Sequence, residues 1–158
     1  MDKKQKTKEK ICTFYASDYH FEMISMHYIN KKIDEKKEII ILTENNLENT
    51  VNKLVSSINL NNEKKKKILN LNWKNDDFGK FKIINDNIKK QKQMIIFIKG
   101  KENYIKNINE NIGKWMEKSK GSKIIDCYDL AEISNNIEEI LNNYSKVLNS
   151  SGEKILNK

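Results

Sequence analysis

Four short apolar runs, each rich in isoleucine, place the strongest constraint on how this chain folds. They cover residues 10–16, 38–43, 93–99 and 123–128, and longer segments with helical patterns separate them. Continuous apolar runs of this length are typical of strands that are buried on both faces of a sheet. Strands that alternate with helices form a parallel sheet covered by helices. We therefore predict an α/β fold, a three-layer sandwich with a mostly parallel central sheet of the doubly wound type.

Helical patterns lie between these runs and after the last of them. A further segment, "LNLNW" at 69–73, alternates apolar and polar residues and is a candidate for an additional strand. The predicted helices cover residues 20–36, 46–58, 61–70, 77–92, 101–119 and 131–146.

The length of 158 residues fits one domain with a core of its own. We assign residues 1–9 to a basic, flexible N-terminal tail and residues 10–158 to a single α/β domain. No apolar run approaches the roughly 20 residues of a membrane span, and the charged start "MDKKQKTKEK" has no secretory cleavage pattern. Cys12 and Cys127 lie inside apolar runs and are expected to be reduced core residues. We expect a cytoplasmic protein without membrane contact.

The net charge of +8 comes entirely from lysine, because the chain contains no arginine. Arginine is the residue that reads guanine edges and binds phosphate with two hydrogen bonds, so its absence leaves point-charge attraction alone. The abundance of lysine, asparagine and isoleucine is typical of an AT-rich bacterial genome. The most basic segments, 63–67 and 80–101, are either solvated helix faces or a patch for nucleic acid. A lysine-rich nucleic-acid-binding protein with non-specific backbone contacts is therefore the alternative function.

Ligands of parallel α/β sheets bind beside the carboxyl ends of the strands. The loops that follow the four predicted strands carry polar, charged and aromatic side chains, and we expect the first of them, residues 17–20, to be exposed. The candidate residues for binding a ligand or a partner are Tyr15, Ser17, Asp18, Tyr19, His20, Glu44, Lys99, Tyr128 and Asp129.

The usual catalytic motifs are missing from the sequence. Neither GxxxxGK[ST] nor GxGxxG occurs, so nucleotide hydrolysis by a phosphate loop is not expected. His20 and His27 stand about 10 Å apart along a helix, too far to share one zinc ion. Asp18 with Glu22 or Glu44 could form an acid–base pair, but no spacing rule favours it. We predict no catalytic residues, no metal and no cofactor, and a protein that is not an enzyme.

Several of these segments resemble a known family. The stretch "ICTFYASDYHFEMISMHYINKKIDEKKEIIILTE" is similar to the opening of the MEDS domain, the sensory domain of methanogens and methylotrophs. The match rests on Ile11, Cys12, Phe14 and Tyr15 in the first strand, Tyr28 and Ile29 in the helix and Glu38 before the second strand. "IIDCYDL" at 124–130 and "NNYSKVLNSSGEKIL" near the end resemble its Cys-x-Tyr-Asp strand end and its closing helix, turn and final strand. The likeness runs from about residue 10 to residue 156.

Two positions depart from the family pattern. Lys32 and Ile33 stand where Gly-Leu is usual, and Tyr144 stands where a histidine is common. The resemblance implies a RecA-like fold that has lost its phosphate loop and serves as a sensory or regulatory module. It further implies that the crevice binds a small organic ligand or docks to a regulatory protein, either a histidine kinase or a transcription regulator.

Overall fold

Residues 9–133 and 136–156 are described by the structure, which is a computed structural model. The strands are β1 (Glu9–Tyr15), β2 (Glu38–Thr43), β3 (Met94–Gly100), β4 (Lys123–Asp129), β5 (Lys146–Asn149) and β6 (Gly152–Ile155). The helices are α1 (Asp18–Lys32), α2 (Glu48–Ser57), α3 (Asn62–Leu69), α4 (Asp77–Lys89), α5 (Glu102–Met116), α6 (Leu130–Ile133) and α7 (Ile137–Leu141).

The strands form a single sheet in the order β2-β3-β4-β1-β5-β6. All pairs are parallel except β5 with β6, which form an antiparallel hairpin at one edge. The carboxyl ends of β2, β3, β4 and β1 therefore meet along one edge of the sheet. The predicted mostly parallel sheet is confirmed.

Side chains that alternate along the buried strands build two cores, one on each face of the sheet. In β3, Ile95 and Phe97 belong to one core, and Ile96 and Ile98 belong to the other. Helices α1, α2 and α3 contribute to the first core, and α4, α5, α6 and α7 contribute to the second. The three-layer sandwich follows directly from strands that are apolar on both faces.

Two of the sequence predictions of secondary structure are wrong. The segment "LNLNW" is not a strand, because Trp73 is buried in the core and its indole N–H donates to the carbonyl of Ile68 at 2.9 Å. The helix predicted over 131–146 is replaced by the short helices α6 and α7, and the chain then enters β5. The position of Tyr144 explains why the helix does not reach residue 146. Its side chain is buried against the sheet, and the residue is not part of a helix.

The predicted tail, residues 1–9, lies outside the described residues except for Glu9, which begins β1. Cys12 and Cys127 are fully buried in the core, as predicted. Within the described part of the chain, no helix has the length and apolar character to span a membrane.

Candidate functional site

The connection from β1 to α1 contains only Ala16 and Ser17, and the N–H groups of Ala16 and of His20 in the first turn of α1 donate to nearby side chains. Ser17 is the N-cap of α1, and its Oγ accepts a hydrogen bond from the His20 N–H at 3.1 Å. His20 Nδ1 in turn accepts a hydrogen bond from the Ala16 N–H at 2.8 Å. The amides that would hold a phosphate at this position are thus partly used by the protein itself.

This geometry corrects the expectation of an exposed loop at residues 17–20. Asp18, Tyr19 and His20 form the first turn of α1, which begins two residues earlier than predicted because Ser17 caps it. Of these three side chains, Tyr19 alone is largely exposed, at 62%. The other two make defined contacts.

Asp18, Asn45 and Lys99 form a closed polar triad at the carboxyl edge. The Lys99 ammonium lies 2.8 Å from Asp18 Oδ1 and donates to Asn45 Oδ1 at 3.0 Å. Asn45 Nδ2 donates to Asp18 Oδ2 at 2.9 Å, which completes the ring of contacts. The Lys99 side chain is only 3% exposed, and its ammonium lies 4.8 Å from the centre of the Tyr15 ring. The Tyr15 ring therefore packs against the Lys99 ammonium and helps to exclude water from it.

Two more titratable groups adjoin the triad. Burial raises the pKa of the Tyr15 hydroxyl, and the carboxylate of Asp129 adds to this effect. Burial also raises the pKa of Glu22, against the opposite effect of a hydrogen bond from Thr50. The second oxygen of Glu22, Oε1, is buried without a hydrogen-bond partner among the described residues.

Glu44 contacts the residues that follow Lys99 in the chain. Its Oε1 accepts a hydrogen bond from the Lys101 N–H at 2.7 Å. A Cβ atom at Gly100 would lie 2.6 Å from Glu44 Oε1 and 2.7 Å from Tyr104 Cδ2, so the close approach requires glycine. The Tyr104 hydroxyl donates to Asp77 Oδ1 at 2.9 Å. This contact ties α5 to the start of α4 at the same edge.

Tyr128 does not join the other candidate residues, because it points to the opposite face of the sheet. Its hydroxyl lies 2.7 Å from that of Tyr144, which donates a short hydrogen bond to the buried carboxylate of Asp126. Asp126 also accepts a hydrogen bond from Asn109 at 3.0 Å and lies 3.2 Å from the Lys10 ammonium. A cavity of about 410 Å³ borders this cluster.

Asp129 has a local structural contact of its own. Its Oδ1 accepts a hydrogen bond from the Ala131 N–H at 3.0 Å, at the start of α6. Of the nine predicted residues, the structure thus gathers Tyr15, Ser17, Asp18, His20, Glu44 and Lys99 around the triad, with Tyr19 exposed beside it. Asp129 lies next to Tyr15 in the sheet and also bonds to α6, whereas Tyr128 points to the other face.

Sequence reasoning missed Asn45, Asp126 and Tyr144 as members of these polar clusters. Asn45 lay inside a predicted loop but carried no signal of its own. Asp126 did carry one, because an aspartate in the middle of an apolar strand must be paired when it is buried. Tyr144 was noted only as a departure from a family pattern.

Carboxylates stand at the starts of the helices along the carboxyl edge, although the chain as a whole is basic. Among the described residues, helices α1, α2, α4, α5 and α6 begin there, and each has a carboxylate in its first turn: Asp18, Glu48, Asp77, Glu102 and Glu132. Carboxylates stabilise helix N-termini through the helix dipole. They also occupy the positions where a helix would otherwise attract a phosphate, so this edge disfavours anions.

The lysine-rich segments offer fewer free cations than their composition indicates. Lys64 and Lys67 both lie near Asp34, at 3.8 and 3.2 Å. Lys80 is buried, and its ammonium donates short hydrogen bonds to the carbonyls of Ile41 and Lys74. With Lys99 also buried, two lysines of the 80–101 segment are not available to a nucleic-acid phosphate.

Among the described residues, no group of three His, Cys, Asp or Glu side chains has the geometry to hold a metal ion. His20 Nδ1 is already the acceptor for Ala16.

The sheet order and the helices on both faces define a RecA-like α/β domain. Its fold is similar to that of a prototypical ATPase from the type III secretion system of pathogenic bacteria, with a TM-score of 0.53 and 11% sequence identity. The match covers 89% of this chain and 51% of that protein, so the chain spans about half of its length. No family model matches this chain, and no curated protein is significantly similar to it.

Proposed function

We propose that this protein is a non-enzymatic sensory or regulatory domain that recognises a protein partner at the carboxyl edge of its sheet. The observation that carries the proposal is the pairing of Asp18 with Lys99. A carboxylate of the chain stands at the N-terminus of α1, where a nucleotide-binding domain of similar fold would need a free anion site.

Nucleotide binding is disfavoured at this site for two further reasons. The backbone N–H groups of Ala16 and His20, at the start of α1, already donate to the side chains of His20 and Ser17. An incoming phosphate would also meet the carboxylate of Asp18 and would compete with it for Lys99, which has little exposed surface. Repulsion between like charges in a partly buried site is strong because solvent screens it poorly.

The exposed surface around the triad fits a protein partner with basic side chains. Tyr19 on α1 is 62% exposed and Phe78 on α4 is 87% exposed, and both lie in the first turns of helices at this edge. Exposed aromatic side chains are enriched at the centres of protein interfaces. The carboxylates in the same first turns would attract lysine and arginine side chains and increase the rate of association.

The MEDS-like sequence features extend the proposal to a class of partner. They favour a histidine kinase or a transcription regulator, to which this domain would report the presence of a small organic compound. The function of a fold is decided by its site, so this assignment rests on the analogy of sequence alone.

Capture of the partner from a cell extract, followed by titration of the purified partner, tests the proposal. Replacing Tyr19 and Phe78 with serine should weaken binding at least tenfold, because interface aromatics are frequent hot spots. The matched control is Ile155→Ser, which removes an exposed apolar side chain, 74% exposed, from the edge strand β6. A partner that binds the Tyr19/Phe78 double variant as tightly as the control would exclude the carboxyl edge as the docking surface.

A further inference from the structure

A polar cavity of about 390 Å³ lies at the amino edge of the sheet, opposite the edge that carries the triad. It lies between the turn that leads from α4 into β3 and the turn that leads from α5 into β4, because these two strands are neighbours in the sheet. Its polar lining comes from these two turns: Gln91, Lys92, Gln93, Lys118, Ser119 and Lys120. Within the described part of the chain, the lining thus holds three ammonium groups, two carboxamides and no carboxylate.

Hydrogen bonds and close packing hold the two turns together. Ser122 Oγ accepts a hydrogen bond from the Met94 N–H at 2.9 Å and lies 2.5 Å from Ser119 Oγ. Both serines are buried. The Gln93 side chain packs against Gly121, where a Cβ atom would lie 2.2 Å from its Nε2. The lysines of the cavity therefore belong to turns whose backbone is held in place without a ligand.

The three lysines of the cavity have no counter-ion. Among the residues that the structure describes, no carboxylate forms an ion pair with Lys92, Lys118 or Lys120. Lys64 and Lys67, in the other lysine-rich segment, both lie near Asp34. Ammonium groups that line one cavity repel each other, and a bound anion would relieve this repulsion.

The helix dipole does not account for these three lysines. Cations in the last turn of a helix stabilise it by about 0.3–1 kcal/mol, and Lys89 in α4 and Lys114 in α5 occupy such positions. The lysines of the cavity follow the helices instead of belonging to their last turns. The final carbonyl of α5, that of Met116, already accepts a hydrogen bond from the Ser119 N–H at 3.0 Å. The charge of the cavity is thus available to a ligand.

We propose that this cavity binds a small organic anion with two or three carboxylate groups. The lysines supply charge, and the Gln91 and Gln93 carboxamides supply N–H donors for carboxylate oxygens. Phosphate sites use converging backbone N–H groups at helix N-termini, but α4 and α5 end at this cavity, which favours carboxylates over phosphates. The volume is within the range of about 300–1,000 Å³ that is common for ligand sites. This site goes beyond the docking function proposed above and does not depend on it, because it lies at the other edge of the sheet.

Propane-1,2,3-tricarboxylate and propane-1,2,3-tricarboxamide test the proposal as a matched pair of probes. They have nearly the same shape, but the tricarboxamide carries no charge. Titration into the full chain at constant ionic strength, followed by NMR, should show saturable binding of the tricarboxylate. The backbone amide of Ser119 and the side-chain amide of Gln93 should shift, and the tricarboxamide should bind at least tenfold more weakly.

Two double variants separate the cavity from the net charge of the chain. Lys92→Gln with Lys120→Gln removes two charges from the cavity and should weaken binding of the tricarboxylate at least tenfold. The matched control is Lys89→Gln with Lys114→Gln, which removes two charges from exposed positions on α4 and α5 that do not line the cavity. The control should change the affinity less than twofold.

Three results would overturn the proposal. The first is no saturable binding of the tricarboxylate, and the second is an equal loss of affinity in the two double variants, which would assign binding to the net charge alone. The third is tighter binding of inorganic pyrophosphate than of the tricarboxylate, which would assign the cavity to phosphates.

Discussion

The Lys99 ammonium and the Asp18 carboxylate lie 2.8 Å apart, although Lys99 is the last residue but one of β3 and Asp18 begins α1. The Lys99 side chain is 3% exposed and the Asp18 side chain is 43% exposed, so burial removes more hydration free energy from the lysine than from the aspartate. Removing the exposed partner leaves the buried cation uncompensated. Removing the buried lysine leaves a carboxylate that water can solvate.

Asp18→Ala should therefore lower the free energy of unfolding by about 2 kcal/mol, less than the loss for a fully buried pair because water reaches Asp18. Lys99→Met preserves the length of the side chain and should lower the free energy of unfolding by a smaller amount. Urea unfolding of both single variants and of the double variant measures the coupling between them. The control Asp34→Ala removes an exposed partner of Lys64 and Lys67 and should change stability by less than about 1 kcal/mol. A larger loss in Lys99→Met than in Asp18→Ala would contradict this account.

The filled anion position predicts that ATP and GTP are not hydrolysed. Calorimetry should detect no tight binding of either magnesium nucleotide, and phosphate release should stay at the level of buffer. The informative variant is Lys99→Met, because it would abolish any genuine activity of this edge but leave a contaminating ATPase unaffected. Turnover that disappears in Lys99→Met would overturn the prediction.

Binding to duplex DNA should be weak, independent of sequence and strongly dependent on salt. Without arginine, the interaction consists mainly of counterion release, and affinity then falls steeply between about 50 and 200 mM salt. Fluorescence anisotropy with two unrelated duplexes at both salt concentrations measures this. Sequence-selective binding that persists at the higher salt concentration would favour the nucleic-acid function.

The lowered pKa of the buried Lys80 side chain predicts that the free energy of unfolding rises at alkaline pH. Burial lowers the pKa of Lys80 from 10.5 to about 8, although Asp77 and Asp76 act in the opposite direction. Between these two values the unfolded chain binds more protons than the folded chain, so the free energy of unfolding rises with pH. Below this range both states are protonated and this contribution no longer changes.

The variant Lys80→Met should lose this alkaline gain, and Lys82→Met, at an exposed position of the same helix, should keep it. Chemical unfolding at several pH values from about 7 to 10 gives the comparison. Identical pH profiles for the two variants would mean that Lys80 keeps its ordinary pKa in the folded protein.

Glu153 predicts a loss of stability in acid. Its burial would raise the pKa, but hydrogen bonds from Lys123 and Tyr28 outweigh this effect and lower the pKa from 4.5 to about 2. The stabilisation is therefore complete above 4.5 and disappears as the pH falls toward 2. Glu153→Gln should be less stable than the unmodified protein at neutral pH and nearly equal to it near the lower limit. Glu138→Gln, at an exposed position on α7, is the control and should show no such convergence.

The sheet was predictable because its strands are buried on both faces. Isoleucine-rich runs mark β1, β2, β3 and β4 to within a residue at each end, and the helices between them fix the parallel direction. The end of the chain was less predictable, because the break after α7 depends on tertiary packing of Tyr144 against Asp126 and not on local helix propensity.

The positions of the candidate residues were predictable, but their contacts were not. Parallel topology brings the carboxyl ends together, which correctly placed Asp18, Glu44 and Lys99 at one edge. The separation of Tyr128 from Tyr15 depends on strand register, since Tyr128 lies beside Phe14 and Asp129 lies beside Tyr15. A shift of one residue would exchange their faces, and the sequence alone does not specify that register.

The place of β1 in the sheet has a consequence for how the protein folds during synthesis. Its partners are β4 and β5, with Glu9 beside Lys123 and Ile11 beside Lys146. β1 is therefore synthesised before both of its partners and must wait for β4 and β5 before it can pair, whereas β2 and β3 pair earlier. Such long-range pairing slows folding and leaves an apolar strand open to other chains in the meantime. The lysine-rich character of the chain then serves a purpose apart from any partner, because a high net charge keeps incompletely folded chains apart.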